Sequence, residues 1–131
     1  MTPQQEALRD KLKQGSDTFK EIASLRTVIQ ENERIQSGSH DPGIKKLLQA
    51  QNLELTMKYE KLIDVRSKID RCINTINDVD LRAVMTMRYL GHVNTFRIAE
   101  TLYIGRNTVN RWHKAALNKI IESGADKYLD Y

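Results

Sequence analysis

Leu48, Leu55, Leu62, Ile69 and Ile76 recur at intervals of seven, with Tyr59 and Ile73 at intermediate positions of the same stripe. A seven-residue repeat keeps one narrow apolar seam turned toward a partner helix, so it predicts a long helix from Gly43 to Ile76. Asn52 and Arg66 interrupt the seam, which weakens it and can fix its register. The turn formers Ser37 to Gly43 precede it. Before them, Phe19, Ile22, Leu25 and Ile29 give a complementary stripe on a helix expected over Thr18 to Gln36. Thr18 and Glu21 have the spacing of a capping box, and Gly15-Ser16-Asp17 reads as a break after a short helix over Gln4 to Lys13. An antiparallel hairpin is the simplest arrangement. Its partners are unequal, about 50 Å against about 28 Å at the helical rise. The surplus seam is expected to be covered by a second copy in a homodimer, with Leu8 and Leu12 as the intramolecular alternative.

Composition agrees with an all-α chain. Aromatic residues make up 6% of the 131 residues and there are two prolines, without the β-branched and aromatic runs that mark sheets. The charged fraction of 29% gives no indication of disorder. The single Cys72 excludes an internal disulfide and says nothing against a reducing compartment. No apolar run approaches the roughly 20 residues of a membrane span, and the amino terminus lacks the apolar core of a signal peptide. A cytoplasmic protein is expected. His40, His92, His113 and Cys72 show no ligand spacing, so no metal or cofactor is expected.

From Asn77 the texture changes to short helices. Asn77 to Asp80 offers N-cap residues, Leu81, Val84, Met85 and Tyr89 form one apolar face, and Gly91 ends the helix. Thr95 to Leu102 follows, with Phe96, Ile98, Ala99 and Leu102 as inward candidates. A tight connection, Tyr103-Ile104-Gly105, leads into a last helix on which Val109, Trp112, Ala116 and Ile120 share a face. Small Ala99 suits a close helix crossing, Ile104 plugs the turn, and Gly105 can occupy the N-cap. The net charge of +4 says little by itself, but Ile104 to Ile121 carries Arg106, Arg111, Lys114 and Lys119 and no acid. This describes a helix-turn-helix over 77–131 behind a helical arm over 1–76. Its second helix would present Arg106, Asn107, Thr108, Asn110, Arg111, Lys114 and Lys119 to double-stranded DNA. Arg forks to guanine and Asn to adenine in the major groove, while Lys mostly holds phosphate.

The segment from Asp80 to Ile120 resembles region four of bacterial sigma factors, through Met87-Arg-Tyr-Leu90, Ile98-Ala-Glu-Thr-Leu102 and Asn107-Thr-Val-Asn-Arg-Trp-His-Lys-Ala-Ala-Leu117. It is still more similar to the phage ArpU and RinA group of late transcription regulators, whose layout the whole chain shares. The resemblance implies sequence-specific binding near a promoter, in a bacterial host cell, with action on host RNA polymerase and no catalysis. Two positions depart from it. Such domains carry Gly where this chain has Tyr103, and Ser or Thr where it has Gly105. A bulky residue is uncommon at positive φ, so a changed turn or a shifted glycine role is expected. Two rival functions are weighed. Arg106-Asn107 with His113 fits the loose pattern of a HEPN-type ribonuclease, and small terminase subunits of phage packaging also join such a motif to oligomerising helices.

Overall fold

Both prolines stand at the first residue of a helix, where the missing N–H costs no hydrogen bond. The computed structural model describes residues 1–131. It is all-helical, with α1 (Pro3–Asp17), α2 (Lys20–Gly38), α3 (Pro42–Ile73), α4 (Val79–Met85), α5 (Thr95–Leu102) and α6 (Arg106–Ser123). A π-helical turn over Thr86–Leu90 continues α4, and a 3-10 turn over Ala125–Tyr128 follows α6. Helix α1 opens on a capping box: the Thr2 hydroxyl accepts from the Gln5 amide at 3.2 Å, and Gln5 Oε1 accepts from the Thr2 amide at 3.0 Å. Helix α3 opens on Asp41, whose Oδ1 accepts from the Gly43 amide at 2.8 Å.

The chain divides into two compact units, one of Thr18–Asp64 and one of Met1–Asp17 with Val65–Tyr131.

The first unit is the hairpin of α2 with the leading part of α3. Phe19, Leu25 and Leu62 are buried, and Ile22, Ile29, Leu48, Leu55 and Tyr59 are half-buried along the seam. Asn52, which interrupts the stripe, binds the neighbouring helix: its amide donates to the Ile29 carbonyl at 3.2 Å and its oxygen accepts from Asn32 at 3.0 Å. A polar pair at one level of an apolar seam penalises any slipped register, since each slip leaves it unpaired. Lys58 and Glu21 pair at 2.9 Å, so the two helices run antiparallel. The expected capping box at Thr18 is not formed. Helix α2 begins at Lys20 with Phe19 at the N-cap position in helical dihedrals, and Glu21 reaches across to Lys58 instead of back along its own helix.

In the second unit the continuation of the seam is covered by the chain itself. Ile69, Cys72 and Ile73 are wholly buried, as are Leu12 and, nearly so, Leu8 of α1. Helix α1 does not break at Gly15. A Cβ there would overlap the Tyr131 hydroxyl and stand 2.7 Å from Ile69 Cδ1, so this glycine serves close approach inside a helix, not a turn. Tyr131 donates to the Lys11 carbonyl at 2.7 Å, and Lys68 pairs with Asp130 at 2.8 Å. Burial, with a smaller contribution from Asp126, pushes the Cys72 thiol up to about 12.

Two substitutions test these packings. Gly15→Ala should overpack the approach of α1 and lose about 1–3 kcal/mol in a denaturant melt. Leu62→Asp should lose about 2–5 kcal/mol, because it exchanges a buried apolar side chain for an unpaired charge. Wild-type melting of either variant would remove that residue from the core.

Candidate nucleic-acid interface

Asp78 starts α4 by accepting the amides of Asp80 and Leu81 at 2.9 and 3.1 Å. Leu81, Val84, Met85 and Tyr89 are buried as their spacing predicts. The π-helical turn closes with the Gly91 amide on the Thr86 carbonyl at 3.0 Å. A Cβ at Gly91 would lie 2.9 Å from the Met87 carbonyl oxygen, so the chain turns there only without a side chain. Arg88 donates to the Thr95 hydroxyl at 2.9 Å, tying this turn to the start of α5. Asn94 caps α5 by accepting the Arg97 amide at 2.9 Å. An Asn directly before a helical pattern is the sequence signal for such a cap.

Val84, Ile98, Ala99 and Val109 form a buried cluster, with Met87, Val93, Leu102, Ile104 and Trp112 packed around it. Ala99 and Ile104 therefore take their expected places, and Trp112 belongs to the packing. Phe96 does not: it is 57% exposed. Helix α5 ends in a Schellman motif. The Ile104 amide donates to the Ala99 carbonyl at 3.0 Å and the Tyr103 amide to the Glu100 carbonyl at 3.3 Å. This motif requires a left-handed residue at the position of Tyr103, and Tyr103 adopts it, with φ 56° and ψ 44°. Tyr103 itself thus stands in the left-handed position, and tyrosine carries the strain. Gly105 has an ordinary extended conformation at the N-cap of α6, φ −74° and ψ 157°, so its glycine character is not required.

Helix α6 has one dry face, made by Val109, His113, Ala116, Leu117 and Ile120. On the remaining surface Arg106, Asn107, Asn110, Arg111, Lys114 and Lys119 are exposed. Thr108 is half-buried, and its hydroxyl accepts from Arg111 Nη2 at 3.1 Å, which holds that guanidinium against the helix. His113 is inside, on the dry face. Its Nε2 lies 2.7 Å from the Tyr89 hydroxyl, which satisfies both buried groups. Burial first, then the positive charges of Arg88 and Arg9, depress the imidazole to about 4. Burial likewise raises the Tyr89 hydroxyl to about 12. The Arg106–His113 pairing of a ribonuclease site therefore has an exposed member and a buried one. From α1, the Ser16 hydroxyl donates to the Tyr89 carbonyl at 2.6 Å, a contact no sequence pattern announced.

No helix is long and apolar enough to cross a membrane. The model of a family described as a protein of unknown function (DUF1492) matches residues 40–121, from the end of the hairpin loop almost to the end of α6. No curated protein and no solved structure matches the chain.

The buried imidazole gives a pH dependence with a definite sign. A base whose folded pKa is depressed from 6.5 to about 4 contributes stability that is present above pH 6.5 and lost as the pH falls toward 4. The loss should approach about 3 kcal/mol by urea melts and be much reduced in His113→Gln. Ala99→Leu should cost about 1–3 kcal/mol by forcing α5 and α6 apart. A variant that melts like the wild type would place the crossing elsewhere.

Proposed function

The chain belongs to the DUF1492 family, and we propose that it is a sequence-specific DNA-binding regulator of transcription that reads the major groove with α6. The observation that carries this reading is the division of α6 into a buried apolar face and an exposed face of Arg and Asn with Lys114 and Lys119 further along, in an acid-free stretch. Side chains that fork to base edges, followed by point charges for phosphate, are what such a helix needs. The Schellman turn and the tightly packed Ala99 support it, because a recognition helix must be held rigidly against the helix before it.

From the resemblance to the ArpU and RinA regulators we take the site of action to be a promoter, with host RNA polymerase as the protein partner. We further read the chain as a homodimer joined through the arm, where Val28, Ile35, Leu47, Leu53 and Met57 are exposed. A dimer would read a two-fold site, so selection of bound DNA should return a palindromic motif.

Binding isotherms against preferred and random duplexes at several salt concentrations test the recognition helix. Arg111→Ala should lose about 1–3 kcal/mol against the preferred site alone. Lys119→Ala should weaken every duplex alike and lower the salt slope by about one unit. If both variants stay folded and bind all duplexes as the wild type does, α6 is not a recognition helix.

A further inference from the structure

Phe96, Glu100 and Tyr103 come together on the surface of α5 and its C-terminal turn. With Ala99, Ile104 and Arg106 they line a groove on the surface of the motif. Two large aromatics border it, one 57% and one 95% exposed. Tyr103 is the more demanding case. Its left-handed conformation crowds Cβ against the following carbonyl, a conflict that glycine avoids. The ring obtains no burial in return. The Schellman hydrogen bonds hold that backbone but do not call for a tyrosine, so a large side chain kept there in solvent points to a contact outside the fold.

The groove runs into the reading surface, because Arg106 both lines it and begins α6. Whatever lies against α6 therefore continues past Phe96 and Tyr103. Charge selects which part of that ligand enters. The Glu100 carboxylate within the groove repels phosphate, while exposed Arg97 and Arg106 attract it. The neutral part of a nucleic-acid backbone, the deoxyribose with its apolar C–H faces, is the part whose chemistry matches exposed aromatic rings beside a carboxylate.

We propose that Phe96 and Tyr103 clamp a deoxyribose of the duplex backbone beside the bases read by α6, with the adjoining phosphate on Arg106. This rests on the DNA-binding reading and adds to it a sequence-independent apolar contact.

The test compares wild type, Tyr103→Gly and Tyr103→Phe for thermal unfolding and for binding to preferred and random 20-base-pair-scale duplexes (roughly two helical turns) over a salt series. Tyr103→Gly should unfold about 2–4 °C higher, since glycine accepts the positive φ. It should nonetheless bind both duplexes about tenfold more weakly with an unchanged salt slope, because no charge has been removed. Tyr103→Phe should bind as the wild type does. Wild-type affinity in Tyr103→Gly overturns the clamp alone, as does a loss confined to the preferred duplex. A wild-type chain that binds neither duplex overturns the DNA reading and the clamp with it.

Discussion

Everything in the second unit leans on the dry face of α6. Helices α1, α4 and α5 all pack on this one helix, whose inner residues Val109, His113, Ala116, Leu117 and Ile120 are all buried. Four of the five are aliphatic and need nothing beyond close contact. His113 is the exception, and an imidazole out of water costs several kcal/mol unless both its protonation and its hydrogen bond are settled. Tyr89 supplies the hydrogen bond, a 2.7 Å contact from the π-helical turn, while burial and the charges of Arg88 and Arg9 keep the ring neutral. That turn is held in its own place by Ser16 of α1 through the Tyr89 carbonyl. A short polar relay thus joins the first helix of the chain to the helix that carries the exposed Arg and Asn side chains.

The exposed face is a consequence of the buried one. With a helix period of 3.6 residues, locking Val109, Ala116 and Ile120 inward leaves Asn107, Asn110, Arg111 and Lys114 no direction but outward. The turn before α6 sets where that face begins. Three features act together there: the small side chain of Ala99, its carbonyl accepting the Ile104 amide, and the left-handed residue between them.

Most of the helices were legible because their signals are local. The heptad stripe, the loop at Ser37–Gly43, Asp78 ahead of α4 and Gly91 after the π-helical turn all act within a few residues of themselves. What escaped depends on distant partners. Gly15 looks like a helix breaker until Ile69 and Tyr131 are brought against it. Glu21 has the spacing for its own helix cap but is taken by Lys58. Phe96 fits an inward periodicity, yet the core is already filled by Ile98, Ala99 and Leu102. The burial of His113 depends on Tyr89 standing opposite it, which no local pattern announces. The basic and amide residues of α6 were read correctly as exposed, since periodicity alone decides that. The strain at Tyr103 was visible as a departure from pattern, but its outcome was settled by the Schellman hydrogen bonds, which fix the backbone whatever residue stands there.

Cys72 is the chain's one sulfhydryl, and it lies fully enclosed near the junction of α1, α3 and the C-terminal turn. A thiol held protonated and out of solvent reacts with alkylating reagents only when its surroundings open. Its labelling rate is therefore a clock for opening of the Met1–Asp17 and Val65–Tyr131 unit, free of any background from a second cysteine. Read with and without a bound ligand, that clock reports how much of the unit's breathing the ligand suppresses, with no substitution introduced into the chain.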